Sequence, residues 1–476
     1  MLARTLGPSG MGEWAMVIAA GTILHSLLLN WMHAPMVRFG REEWVQTGSM
    51  ANTWSSRWPF IMVGLLLCCG LLLFVPFQWL TLFFHLDCRL APIVFIAIMG
   101  LWLSTETQNL MQVRGEFARL GYMSICIDLA SIIMLFLVQL GQVSVKGVYT
   151  LFLLLQGCNA ILWGIALLSV WRTSNFEWHR PTWVTLQRNL KYAWPLIPGF
   201  LLGFASDWGD QLILRFYFSS REVGLFQSAY QVMMLLLGLS ALISSVLLPR
   251  LIDKNFSSTT GARDFMITNG PTTVALGLYL LIPVISAAPF LFSIFMGAQF
   301  VAATKVFIVL CAAVPGSLLS SFYGTFFNIQ GRFLRSTVLM GSIKIAFNLS
   351  LSLVLVPRIG IMGSAIATVI SYGVLQYLYF RDQHRYYQVP STKIIVLFVV
   401  IVLFSITQTV AGNQSLIRAI ICCLGLVLLT FVSRKFEMLD KNTVKALCSG
   451  RMSGVGSLIL HFAYSEGPRG HSSYRD

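Results

Sequence analysis

The apolar residues of this 476-residue chain fall into runs of roughly 20, with almost no polar alternation inside them. At ~1.5 Å per helical residue, such a run crosses the ~30 Å hydrocarbon core of a bilayer. Helix-length runs without two-residue alternation exclude a transmembrane β-barrel. Only 11% of the residues are charged, against about a quarter in a soluble domain. That excludes a soluble enzyme, a disordered chain and a coiled coil. The chain reads as an all-α polytopic membrane protein.

Thirteen spans are expected, at 11–33, 58–80, 91–112, 120–140, 148–171, 192–214, 223–248, 268–290, 301–327, 336–356, 361–380, 394–411 and 415–433. Of the 33 Lys and Arg, 24 fall in the loops after odd-numbered spans or in the tail, and 8 on the other side. The positive-inside rule then places the C-terminal tail in the cytoplasm and the N-terminus outside. The net charge of +15 is spread over short loops rather than gathered in a stripe, so no nucleic-acid partner is expected. Trp58, Trp79, Trp171 and Trp194 stand at span ends, as interface belts require. Most of the nine cysteines lie inside apolar runs and none forms a CxxC pair, so they read as small hydrophobes, not metal ligands.

The chain repeats itself. The Gln112–Arg119 segment QVRGEFAR, between spans 3 and 4, matches the Asn328–Arg335 segment NIQGRFLR, between spans 9 and 10, at an offset of 216. The same offset pairs Gly147 with Gly363, while an offset of 212 pairs Gly12 with Gly224 and Arg38 with Arg250. Spans 1–5 therefore recur as spans 7–11. An even number of spans separates the copies, so they share one orientation, as a parallel repeat about the membrane normal. The expected organisation is an N-lobe at 1–171, a cytoplasmic linker at 172–191, a C-lobe at 192–380, two additional spans at 394–433 and a cytoplasmic tail at 434–476.

Several motifs resemble one family. The Leu6–Trp14 segment LGPSGMGEW resembles the opening of the second helix of bacterial oligosaccharide-lipid flippases, and the Arg38–Glu43 segment RFGREE the basic loop after it. The Trp194–Gly199 segment WPLIPG, with Ser206, Asp207, Gln211 and Leu212, resembles their seventh helix. Glu222–Phe226 (EVGLF), with Ala229 and Tyr230, resembles the start of the eighth. Asn348 and the Val356–Ala365 segment VPRIGIMGSA, with Ala367 and Thr368, resemble the turn from the eleventh to the twelfth. The whole chain resembles the O-antigen and polysaccharide translocase family, in the superfamily of multidrug and oligosaccharide-lipid exporters, lacking the family's first helix. The resemblance implies two pseudo-symmetric lobes forming a V around a central cavity. It implies transfer of undecaprenyl-pyrophosphate-linked sugar units across the bacterial inner membrane by alternating access. The implied driving force is an H⁺ or Na⁺ gradient, with no cofactor, and polymerase or chain-length machinery as further partners. No GxxxxGK[ST] loop is present to bind ATP. A cation-coupled drug exporter of the same superfamily and an inactive truncated copy are the alternatives. No Ser-His-Asp set or metal cluster points to an enzyme.

Ionisable groups inside spans are costly and mark candidate sites. Asp128 and Lys344 occupy equivalent repeat positions, each about nine residues into its helix from the cytoplasmic side. Lys344 is expected to attract the pyrophosphate while Asp128 pairs with it or binds the coupling cation; a structural ion pair is the alternative. Asp207 and Asp210, three apart on one helical face near the outer end of span 6, suit ion coupling or simply a wet helix end. Pro195 and Pro198 predict a helix break, a candidate hinge. Glu106, near the inner end of span 3, is expected to face a cytoplasmic vestibule or to stand at a solvated helix end, and is a third ion-coupling candidate. His25 reads as a mid-span structural histidine or a proton relay. Asn348 shares a face with Lys344 and is placed to hydrogen-bond a sugar or to hold helices together. Arg38 and Arg250, repeat-related and cytoplasmic, are explained by positive-inside anchoring alone or, as the alternative, meet the pyrophosphate at entry.

Overall fold

The structure, a computed structural model, describes residues 2–73, 83–141, 147–172, 180–257, 261–329, 338–387, 392–412 and 414–440. Of these, 72–73, 88, 239–257, 261–262, 265, 321–322, 324–329 and 386–387 are described by their backbone alone. Every regular element among the described residues is a helix. In chain order they are α1 (Leu2–Leu28), α2 (Arg41–Thr47), α3 (Ala51–Leu73), α4 (Ala91–Arg114), α5 (Phe117–Gln139), α6 (Val148–Arg172), α7 (Trp183–Ala193) and α8 (Ile197–Tyr217). They continue with α9 (Ser220–Ser257), α10 (Gly261–Phe295), α11 (Ala303–Cys311), α12 (Val314–Ile329), α13 (Met340–Ile359), α14 (Ile361–Tyr387), α15 (Thr392–Val410) and α16 (Ser415–Lys435).

Among the described residues, eleven helical stretches are long and apolar enough to cross a membrane. The other two expected spans, 192–214 and 223–248, fall on α8 and on α9, whose residues 239–257 are described by backbone alone. In α8 the polar set Asp207, Asp210 and Gln211 lowers the mean hydropathy of an otherwise apolar helix. The helices keep large apolar side chains on their outer faces. On α5, Ile125, Leu129, Ile132 and Ile133 are all exposed. In hydrocarbon that costs nothing, because lipid is as apolar as leucine. This is a multi-pass membrane protein.

Local chemistry sets where the helices start and break. Residues 2–28 are kinked at Gly7, whose φ of +66° only glycine adopts freely, and Pro8 then opens the longer piece. The helix therefore begins well before the expected residue 11. The stretch expected as one span at 301–327 is interrupted at Ala312 and Ala313, whose N–H groups bond three residues back. Pro315, which lacks an N–H and crowds the preceding turn, accounts for the break. Before α8 the expected break is present: Trp194–Leu196 is a 3₁₀ turn holding Pro195, and Pro198 lies in the first turn of α8.

The chain divides into two compact units, Met1–Gln227 with Phe295–Gln299, and Ser228–Ile294 with Phe300–Asp476. Helix α8, expected in the second lobe, lies in the first unit, packed against α1. The stretch expected to be a linker includes most of α7, which packs on α3 and whose Asn189 donates to Ser56 Oγ at 2.7 Å. The order of helices repeats: α1, α3, α4, α5 and α6 have counterparts in α9, α10, α11–α12, α13 and α14. In each unit the third helix of the copy packs on the fifth, α4 on α6 and α11 with α12 on α14. Helix α6 starts directly after Gly147 and α14 directly after Gly360, so the pairing of Gly147 with Gly363 is off by three.

Within the first unit, α1 crosses the start of α9 at almost backbone contact. A Cβ on Gly12 would stand 1.8 Å from Ser220 O, and a Cβ on Gly224 would stand 1.8 Å from Pro8 O. Pro8 and Ser220 are 212 residues apart, as are Gly12 and Gly224. The contact is therefore reciprocal: each glycine lies against the carbonyl four residues ahead of the other. The matching glycines noticed as a repeat in the sequence touch each other.

In the second unit, α15 and α16 are pinned to α10 by Arg418. Its guanidinium is 3% exposed and donates to the carbonyls of Ile285 (2.6 Å), Ser286 (2.9 Å), Gln408 (3.1 Å) and Gly412 (2.9 Å). Gln408 Nε2 returns bonds to Ser286 Oγ and Arg418 O.

Candidate functional site

The densest buried polar cluster described in the first unit forms where α1 ends and α3 begins. Glu43, on α2, accepts from the N–H groups of Asn52 and Thr53 at 2.9 Å, satisfying the free donors at the start of α3. Arg41 donates to Val113 O near the end of α4 at 2.5 Å. These two anchors bring Arg57 of α3 opposite Glu106 of α4. Arg57 Nη2 lies 2.8 Å from Glu106 Oε2, and Arg57 Nε donates to Met32 O at 2.7 Å. Trp54 Nε1 donates to Glu106 Oε1 at 2.8 Å. His33 Nδ1 lies 3.0 Å from Glu106 Oε2. Arg57 is fully buried, Glu106 is 1% exposed, and the neighbouring His25 and His33 rings have centres 6.0 Å apart.

Trp54 touches Trp58 (4.9 Å) and Trp171 (6.0 Å), and Trp58 touches Trp102 (6.0 Å). Trp58 and Trp171, read in the sequence as span-end tryptophans, both pack beside the ion pair, Trp171 keeping 44% exposure at the end of α6; Trp194 is 59% exposed, and Trp79 lies outside the described residues. A buried ion pair forms only where good geometry offsets desolvation, and here Glu106 is bonded by Trp54 and Arg57 of α3 and by His33 of the turn after α1.

This places several expectations differently. Glu106 does not face an open vestibule, because Arg57, His33 and Trp54 enclose it. His25 is not mid-span: it lies three residues before the end of α1, beside His33. Arg57 is no loop cation, although the positive-inside count includes it.

The remaining candidates lie elsewhere. Asp128 is the twelfth residue of α5 and exposed. Lys344 is the fifth residue of α13, half-buried, with its ammonium 4.1 Å from the centre of the Tyr372 ring. Asn348, one turn on, is buried. Asp210 is buried while Asp207 is exposed, so the two carboxylates have unlike surroundings. Gln211 beside them donates to Gln227 at 2.9 Å. Arg38 is exposed, with its guanidinium over Phe39 (5.3 Å) and Tyr192 (4.8 Å). Arg250 is on α9, and its side chain lies outside the described set. Among the described residues no group of three His, Cys, Asp or Glu is placed to hold a metal ion.

A sequence model of the family described as polysaccharide biosynthesis protein matches residues 1–253, more than half of the chain. The chain belongs to this family. Among curated proteins it is similar to a probable low-salt glycan biosynthesis flippase, Agl15, of Haloferax volcanii, with 23% identity over 318 residues, 62% of this chain. The match spans 63% of that relative's length. Among solved structures it matches the lipid II flippase MurJ in an inward closed conformation, with a TM-score of 0.61 and 15% identity, over 91% of this chain and 98% of that one. That likeness carries the fold: this family member has the all-helical architecture of MurJ.

Proposed function

We propose that this protein carries a lipid-linked glycan across a membrane by alternating access. The observation that carries the reading is the family match over residues 1–253, joined to an all-helical fold that MurJ shares. The cargo would be undecaprenyl-pyrophosphate-linked sugar units for O-antigen or exopolysaccharide synthesis, moved out of the cytoplasmic leaflet of a bacterial inner membrane. The C-terminus would lie in the cytoplasm, and polymerase or chain-length proteins would take the product. A hydrocarbon-tailed diphosphate asks a transporter for cations that meet the phosphates and for a route past the bilayer core.

Lys344, held over Tyr372, is the cation assigned to the diphosphate. A ring beneath an ammonium contributes roughly 0.5–2 kcal/mol and fixes its direction. Asp128 balances that charge or takes the coupling H⁺ or Na⁺, Asn348 bonds the sugar, and Arg38 and Arg250 meet the diphosphate at the cytoplasmic surface. Asp210 with Asp207 is the second coupling candidate. Glu106 is assigned to anchoring the ends of α1, α3 and α4, since Arg57 already holds its charge. The 3₁₀ turn at Pro195 serves as the hinge ahead of α8.

The test is complementation of a flippase-deficient bacterium. The wild-type chain is expected to restore surface glycan, and Lys344→Ala and Asp128→Ala to abolish it at unchanged protein levels. The exchange Asp128→Lys with Lys344→Asp is expected to stay inactive, since the diphosphate needs the cation at 344. Full recovery in the exchange would reduce the two residues to a structural pair.

A further inference from the structure

Helix α7 turns large apolar side chains outward. At about 3.6 residues per turn, Trp183, Leu190 and Trp194 fall within about 40° of one another around its axis. Asn189 and Ala193, the buried residues of α7, are turned away from that stripe, Asn189 donating to Ser56 of α3. Trp183 is 70% exposed, and Trp194, in the turn that follows, is 59% exposed. Eleven residues make about 16 Å of helix, too short to cross a bilayer.

Cations border the stripe. Lys191 and Arg188 follow it around the helix, about 60° and 120° from Trp194, and both are exposed. The Arg188 guanidinium lies 4.4 Å from the centre of the Phe39 ring, and that of Arg38 lies 5.3 Å from the same centre. These groups are positioned but not neutralised. Among the described residues neither Arg188 nor Lys191 has an ion pair, and Arg38 has only Glu42, at 3.9 Å. No acidic residue stands between Arg180 and Asp207.

A helix lying in a membrane surface carries this pattern: apolar side chains enter the acyl boundary, indole rings sit at headgroup level, and cations reach the phosphates. The location agrees. Helix α7 packs on α3, which is long and apolar enough to cross a membrane, and leads through Trp194–Leu196 into α8. A zwitterionic headgroup cancels its own charge, so cations without counter-ions select a net anionic one. We propose that α7 is a membrane-surface helix that binds anionic phospholipid of the phosphatidylglycerol type. Trp183, Leu190 and Trp194 enter the acyl boundary, and Arg188 and Lys191 meet the headgroup phosphates. The site does not depend on what the chain carries.

The test uses the full-length chain in nanodiscs, with its native cysteines replaced and a nitroxide on Gln187→Cys, an exposed position one turn from Trp183. Access of oxygen, which collects in lipid, is measured against access of a water-soluble nickel chelate. In phosphatidylcholine with phosphatidylglycerol the label is expected to be open to oxygen and shielded from nickel; in phosphatidylcholine alone it is expected to lie nearer water. On titration with phosphatidylglycerol in detergent, Arg188→Gln and Lys191→Gln are each expected to weaken binding about 5-fold, the scale for one cation at an anionic surface. Arg188→Lys, which keeps the charge, is expected to bind nearly as the parent chain does. Native mass spectrometry of the unaltered chain, free of the cysteine changes, is expected to show phosphatidylglycerol retained over phosphatidylcholine; equal retention counts against the proposal. A label open to nickel in both bilayers overturns it and leaves the face to a protein partner. Equal depth in both bilayers, unmoved when both cations are replaced, also overturns it, as apolar contact without headgroup recognition. Inorganic phosphate is expected to leave the label unchanged, and a response equal to that of the lipid would make this a simple anion site.

Discussion

Arg57 and Glu106 illustrate how much a single buried pair demands of its surroundings. Neither ion is tolerable alone in a helix bundle, and each is fully bonded: the guanidinium to Met32 O and the carboxylate, the carboxylate to Trp54 and His33 as well. Removing one partner leaves the other charged and buried, a loss of roughly 3–5 kcal/mol. Glu106→Ala is therefore expected to lower the thermal unfolding temperature sharply in detergent, measured by size-exclusion of heated samples. Arg57→Leu with Glu106→Leu is expected to recover most of the loss, and a double variant as unstable as the single would show that the pair does not act as a unit. Half of this pair was legible in the sequence. Glu106 stands within an apolar run, where an acidic residue draws attention. Arg57 was hidden because Pro59 mimics a helix start, so the preceding residues read as loop; in fact α3 begins at Ala51 and Pro59 lies inside it. His33 has no periodic signal at all, since it sits in a turn and joins the cluster only through tertiary packing.

Among the elements, apolar run length located the helices, while backbone exceptions moved their ends. The Gly7 kink and the break before Pro315 are two such exceptions, each a local effect of one or two residues that averaged hydropathy does not register. The pinning of α15 and α16 shows the same limit. Arg418 reads in sequence as an outer-loop cation, yet its guanidinium is spent on four carbonyls of α10, α15 and the turn after α15. Replacing it leaves buried acceptors unmet, at roughly 1–3 kcal/mol for each one that finds no water. Arg418→Met is expected to destabilise the chain by about 3 kcal/mol or more. It is also expected to make the α15–α16 connection sensitive to protease while the α6–α7 segment stays as resistant as before. Equal sensitivity of both would mean that Arg418 supports the whole fold rather than this hairpin.

For the whole molecule, the internal repeat was the most informative feature of the sequence. Its landmarks, matched at offsets of 212 and 216, gave the order of five helices twice, and Gly12 with Gly224 turned out to be a contact as well as a correspondence. The repeat says nothing of what is moved, and the polar residues that would hold a substrate are scattered over α5, α8, α13 and the turn before α2. The claim of glycan transport is tested most directly by reconstituting the purified chain in vesicles with a fluorescent undecaprenyl-pyrophosphate sugar and a membrane-impermeant quencher. The fluorescence of inner-leaflet lipid is expected to decay quickly with the wild-type chain under an H⁺ or Na⁺ gradient and slowly with Lys344→Ala. Decay no faster than in protein-free vesicles, with correctly folded protein present, would contradict the account.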